Sequence, residues 1–372
     1  MTSSISRRDI LKLAGLGFGA LALSPFRKLD TQGFPTAERL GRVLGAVDVR
    51  SKPGFDSPIV GRLYEDQIVE WNREVVGPER DLYVINQRWV ETSYGYIYAP
   101  AVQPVRNLPN APMNVLPPGE TGFWAEVTVP YVDILIDNPP IRSPWAKTMI
   151  ETRQVNPRLY YGQVVWIDAV RTNPTTGLVE YRFNEDSPHG YGYGDMFWSD
   201  ATAFRMVTEA EVAPLGVGVD PAEKKIVINI TYQTLSCFEG KHEVFFCRTS
   251  TGLLAPQTLD LTDLYETPVG DMYTYWKIVS KSMGANSSEN AAGYDTPAVP
   301  WCTFIATGGV AIHGAFWHNN FGTSRSHGCI NVLPEDAKWI FRWTDPYVSL
   351  KQTEARMTWP TVGTKVTSLK MA

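Results

Sequence analysis

Thirty glycines and 27 prolines interrupt a chain of 372 residues, and 12% of its side chains are aromatic. Breaks this dense leave little room for long helices, whereas short strands rich in β-branched and aromatic residues fit between them. Segments such as "GRVLGAVDVRSKPG", "RWVETSYGYIYAPA" and "KKIVINITYQTLSCFEG" alternate apolar and polar residues at the strand period. The expected fold class is therefore mainly β. The chain is long enough for two or three domains, each with its own core. Apolar residues make up 44% and charged residues 20%, as in soluble globular proteins. A net charge of −5 supplies no basic field for nucleic acid.

Residues 1–30 are expected to lie outside the fold. "SISRRDILKLAGLGFGALALSPF" sets Arg7 and Arg8 before an apolar run, Ile10 to Leu23, of 14 residues with three glycines. Such a run is too short and too interrupted for a membrane span, and the mature chain is expected to have no stable span. The charged start, apolar middle and Ala-Leu-Ala pattern read as an export signal, and "SRRDILK" resembles the twin-arginine type. The protein is expected to work outside the cytoplasm, in the cell wall or periplasm.

Residues 39–107 read as one compact set of short strands. The order G-x-V, V-R-S-x-P, R-W-V, Y-G-Y-I resembles bacterial SH3-like wall-associated modules, which implies a small β-barrel. Trp71, Trp89, Tyr94, Tyr96 and Tyr98 would supply its core or an aromatic row for ligand contact. The proline-rich "NLPNAPMNVLPPGE" reads as a linker. Residues 118–212 are again β-rich, and "GQVVWIDAV" echoes "DQIVEWNREV", which suggests a diverged second SH3-like unit. Thr208 and Glu211 have capping-box spacing for a short helix. Residues 219–348 follow as a third domain, and 349–372 read as a C-terminal tail.

Within the third domain a two-residue turn at Gly240-Lys241 is expected to pair Cys237 with Val244. That register puts the Cys237 and Cys247 thiols on opposite faces, so no simple bridge joins them. Residues 278–298, polar and small, read as a flap. "LPEDAKWIFRWT" has Pro334 and two acids ahead of apolar residues at helical spacing, so it reads as a helix of about three turns.

Chemistry concentrates in "FGTSRSHGCINV" (321–332). A thiol must lose its proton to attack a carbonyl, and an isolated Cys has a pKa of about 8.5. A nearby imidazole takes that proton and later returns it to a leaving amine. His313, His318 and His327 all lie shortly before Cys329. Gly328, without a side chain, would let its N–H and that of Cys329 converge on an oxyanion. Metal binding by the same residues is disfavoured, because H-x4-H matches no common ligand spacing. A disulfide from Cys329 to Cys302 or to a hairpin cysteine stays open, as does a plain core role.

"HGAFWHNNFGTSRSHGCINV" resembles the signature of the L,D-transpeptidase catalytic domain (YkuD family). "DPAEKKIVINITYQTLSCFEG", "TSTG", "TPVGDMYTYWK" and "PEDAKWIFRWTDP" resemble it in the expected order. The resemblance implies a β-sandwich catalytic domain with a short helix, Cys329 as nucleophile and His313 as base. Ser326, His327 and Gly328 would position the cysteine and form the oxyanion hole. Asn331, His318 and Arg325, with Met283 and Tyr294 of the flap, are further candidates for substrate contact. The implied reaction joins peptidoglycan stem peptides 3→3 through a thioacyl-enzyme with release of D-alanine, without metal or organic cofactor, and is sensitive to carbapenems. The alternatives are an L,D-carboxypeptidase and a wall-binding protein without catalysis. An active enzyme is expected to hold an accessible, abnormally acidic thiol.

Overall fold

The computed structural model describes residues 33–78, 85–185, 193–253, 265–284, 295–358 and 360–371. The signal-like segment 1–30 lies outside them. The chain is mainly β, and the described residues form five sheets with short helices. Among the described residues no helix is long and apolar enough to cross a membrane.

Two small sheets form the N-terminal unit. One has three strands in the order Ile68–Glu70, Leu40–Val43, Val102–Val105. The other has five, in the order Ile59–Leu63, Val47–Arg50, Gly95–Tyr98, Arg88–Thr92, Arg73–Val76. Alternation buries Val43, Val49, Val69, Val90, Ile97 and Val102 between them with Trp71. Trp89 is also buried, whereas Tyr94 is exposed.

The middle unit is a single seven-stranded sheet, in the order Arg158–Tyr160, Tyr131–Ile136, Met196–Asp200, Val179–Asn184, Val164–Thr172, Phe123–Val127, Phe204–Met206. The echo between the first two units is one of sequence only. "DQIVEWNREV" spans two short strands on different sheets, while "GQVVWIDAV" lies largely in one continuous strand. One face of the seven-stranded sheet buries Phe123, Ile134, Leu159, Phe183 and Phe197. Trp124 and Val164 turn the other way and join the core of the third unit.

That third unit is a sandwich of two five-stranded sheets. The first runs His242–Arg248, Thr234–Glu239, Lys224–Asn229, Lys365–Leu369, Gly270–Tyr273. The second runs Ile330–Val332, Val310–Gly314, Asp295–Ala306, Trp276–Gly284, Glu354–Arg356. Ile226, Ile228, Leu235, Ile305, Ile312 and Ile330 share one core with the helix Pro334–Trp343. The helix begins where Pro334 and the two acids placed it. The short helix Glu209–Val212 carries the capping box, with the Thr208 N–H donating to Glu211 at 3.0 Å.

Three expectations need correction. Residues 349–372 are not a tail, because Lys365–Leu369 runs parallel to Lys224–Asn229 inside the first sheet. The hairpin turns at Gly240-Lys241, but a bulge in the register pairs Cys237 with Phe245 instead of Val244. The extra residue reverses the parity, so Cys237 and Cys247 both enter the core, and all four cysteines are free thiols. The described parts of the proposed flap, 278–284 and 295–298, are strand, since Trp276–Gly284 and Asp295–Ala306 pair as antiparallel neighbours; 285–294 lies outside the described residues.

The C-terminal end of the helix is closed by buried lysines. Lys277 Nζ donates to the carbonyls of Phe341 and, at 2.7 Å, Thr344, and Lys224 Nζ donates to Trp343 O at 3.1 Å. Ammonium groups satisfy carbonyls that the last turn leaves without partners. Burial pulls the Lys277 pKa down to about 7. Lys277→Met strands two buried acceptors and should cost about 3 kcal/mol. A urea unfolding midpoint unchanged from wild type would refute that role.

Candidate active site

The strands Val310–Gly314 and Ile330–Val332 run parallel, with His313 opposite Asn331. Opposed residues share a face of a sheet, as do alternate residues along a strand. Cys329, two residues before Asn331, packs with Ala311, two residues before His313, and so falls on the His313 face. Cys329 and Met283 pack on a small apolar cluster of Ile278, Val299, Cys302, Phe304 and Ala311. No group of three or more potential metal ligands occurs among the described residues.

The turn before Cys329 is held by its own side chains and by "TSTG". Ser326 Oγ donates to Cys329 O at 2.5 Å and accepts the Gly328 N–H at 3.2 Å. Gly328 has φ +112°, a conformation that side chains disfavour. The N–H of Gly328 is thus engaged by Ser326, not open to an oxyanion as the sequence suggested. Around it, Thr251 O accepts from the N–H groups of Arg325 and Ser326. Ser250 exchanges backbone bonds with Asn331, and Thr249 Oγ1 donates to Asn331 O at 2.8 Å. Thr267 Oγ1 accepts the Gly252 N–H and donates to Gly328 O, both at 2.9 Å. Thr267, which sequence reasoning missed, thereby ties the two segments together.

His313 is buried, and its Nδ1 lies 3.2 Å from Gly314 O. A carbonyl only accepts, so Nδ1 carries the proton and Nε2 keeps the lone pair. Burial lowers the His313 pKa to about 4. Burial also pushes the Cys329 thiol up, and its Sγ donates to Gly309 O at 3.6 Å. Both shifts favour the neutral forms, the opposite direction to the abnormally acidic thiol expected from the sequence.

His318 is a supporting residue. Its Nδ1 accepts the Asn320 N–H at 3.3 Å, and its Nε2 lies 3.0 Å from the Asn331 amide. A neutral imidazole has one N–H, so Nε2 must donate, and the Asn331 amide must present oxygen to it. Burial lowers the His318 pKa to about 3, so the imidazole stays neutral.

The remaining candidates spread out. Arg325 and His327 are exposed, and the His327 ring meets Tyr265 edge-on at 4.5 Å. Tyr294 lies outside the described residues. Sequence reasoning missed Trp317, whose ring centroid is 5.8 Å from that of His313. Trp317 also lines a cleft of about 390 Å³ between the middle unit and the third, with Phe316, Asp295, Trp145, Met149 and Arg153. Its place beside His313 was its only signal in the sequence.

A sequence family described as the L,D-transpeptidase catalytic domain (YkuD) matches residues 223–367. These residues form an L,D-transpeptidase catalytic domain. L,D-transpeptidase 2 of Mycobacterium tuberculosis is 38% identical over 76 residues, which cover 20% of this chain and 18% of that protein. The matched stretch thus spans less than a fifth of that relative's length. Among solved structures, L,D-transpeptidase 3 of M. tuberculosis with a faropenem-derived adduct aligns at 18% identity and TM-score 0.29, covering 69% of this chain and 97% of that one. The M. smegmatis L,D-transpeptidase aligns at 19% and TM-score 0.30, covering 51% and 90%. The catalytic domain of the Enterococcus faecium L,D-transpeptidase aligns at 21% and TM-score 0.28, covering 39% and 96%. The L,D-transpeptidase domain here ends inside the strand Lys365–Leu369, in keeping with the corrected C-terminal boundary.

Proposed function

We propose that this chain is a peptidoglycan L,D-transpeptidase that forms 3→3 cross-links through a Cys329 thioacyl-enzyme. The observation that carries the reading is the shared sheet face of Cys329 and His313, with the His313 tautomer fixed by Gly314 O. As Cys329 sulfur attacks the carbonyl of stem residue three, its proton passes to His313 Nε2. The oxyanion is assigned to the Cys329 N–H, since that of Gly328 is held by Ser326. The C–N bond then breaks, His313 returns its proton to the departing D-alanine amine, and a thioester remains. The side-chain amine of a second stem attacks the thioester and gives its proton to His313, which passes it to the departing sulfur and so restores the thiol. The cleft beside Trp317 is a suitable approach for one of the two stems. Water as acceptor would make the enzyme a carboxypeptidase. Export by the twin-arginine route and an SH3-like, wall-associated N-terminal unit belong to the same reading.

The test is mass spectrometry of muropeptides after incubating residues 30–372 with purified tetrapeptide stems, beside Cys329→Ala. Dimers lacking one D-alanine per bond, absent with the variant, are expected. Tripeptide alone would assign a carboxypeptidase. No product from either protein would favour a wall-binding protein without catalysis.

A further inference from the structure

We propose that the N-terminal unit is a working part of the active site. It latches the connection between His313 and Ser326 through Arg42 and Asn319, and so sets where the base stands relative to the thiol. The inference rests on the transpeptidase reading of Cys329 and His313.

The latch has two points. Arg42, on the strand Leu40–Val43, is 3% exposed, and its Nη2 donates to Phe316 O at 2.9 Å. Its other nitrogens are occupied within the N-terminal unit, Nη1 by Asp66 at 2.8 Å and Nε by Gln103 at 2.9 Å. Its guanidinium lies over the Tyr160 ring at 4.0 Å, and Tyr160 stacks on Phe316. Asp66 also binds Arg158 at 2.7 Å, and Arg158 binds Asp133 at 2.7 Å, so the charges balance in pairs across the first two units. Three residues beyond Phe316, Asn319, also 3% exposed, donates both amide hydrogens to the N-terminal unit, to Val102 O at 2.9 Å and Ala99 O at 3.1 Å. Arg88 Nη2 donates to Asn319 O at 3.3 Å.

A buried guanidinium is costly unless every hydrogen bond is made. Here one arm of that guanidinium goes to a backbone carbonyl three residues after the base. On its far side the same connection is tied to the catalytic sheet, by the Ala315 N–H to Val332 O and the Gly322 N–H to Thr249 O, both at 2.8 Å. The connection thus hangs between two bodies, and Trp317, against the His313 ring, sits between its two latch points. A unit serving only as a wall tether has no need of buried polar contacts with this loop. Arg42 and Asn319 are positioning residues, acting through His313 without touching substrate.

The experiment uses the full mature chain with soluble stem tetrapeptides. Arg42→Met and Asn319→Leu should each lower kcat more than tenfold while KM for the donor stays within about twofold, and Arg42→Lys should recover part of the loss. The imidazole nitrogen shifts of His313, read by NMR in the same proteins, should move in Arg42→Met. This second readout needs no turnover, so it judges the latch even if the wild type proves inactive and the transpeptidase reading fails. Folded variants with wild-type kcat and unmoved His313 signals would overturn the proposal. Should Arg42→Met fail to fold, Asn319→Leu decides by the same two readouts.

Discussion

His313→Gln is expected to lower kcat/KM for thioacylation by about 10²–10⁴-fold, the usual contribution of a general base. Gln fills similar space and offers no basic nitrogen, so the loss reports proton transfer and not packing. The pH profile separates this base from an ion-pair mechanism. With burial lowering the His313 pKa to about 4, the imidazole stays neutral until the pH falls that far. Wild-type activity should therefore survive to about pH 5 and fall below it, not near the ordinary histidine value of about 6.5. Burial pushes the Cys329 thiol the other way, so alkylation by iodoacetamide should keep rising above pH 8. A preformed thiolate–imidazolium pair would instead give a flat alkylation rate from about pH 5 to 8, and that plateau would sink the neutral-pair mechanism. The comparison needs only intact protein and a thiol reagent, so it stands apart from the choice of stem peptide.

What was legible in the sequence was local. Ser326, Gly328 and Cys329 lie within four residues, and the hydroxyl, flexible backbone and thiol that the chemistry needs are visible together. The helix Pro334–Trp343 announced itself through its proline and first-turn acids. The Gly240-Lys241 turn was equally plain, yet a one-residue bulge beyond it reversed which cysteines face the core, because strand parity is set by the partner's backbone. The strand Lys365–Leu369 reads as a tail since its parallel partner lies far back in the chain, and nothing in "KVTSL" names Lys224–Asn229 as that partner. Arg42 reads in "LGRVL" as an ordinary polar position of an alternating strand. Only the folded chain shows that its guanidinium ends on Phe316 O. The lowered His313 pKa was hidden for a similar reason, since burial depends on what distant segments cover.

Gly252→Ala should be as damaging as any change to the chemical groups, though Gly252 has no side chain to contribute. A methyl there would stand 1.8 Å from Tyr265 O and 2.8 Å from Thr267 N. Neither obstacle is the end of a flexible side chain, so backbone must move. Gly252 also pairs with Ser326 and donates to Thr267 Oγ1, whose own proton goes to Gly328 O. Moving Gly252 or Thr267 therefore loosens the turn that presents Cys329. The overpacking alone should cost roughly 3 kcal/mol, read as a lower urea midpoint. Thioacylation should fall well beyond what the unfolded fraction explains. Gly45→Ala is the matched control, since no heavy atom lies within 4 Å of its added carbon. Its cost should stay within about 1 kcal/mol. If Gly252→Ala proved as stable and active as that control, the "TSTG" segment would not be what holds the nucleophile in place, and the turn's own Ser326 bonds would have to suffice.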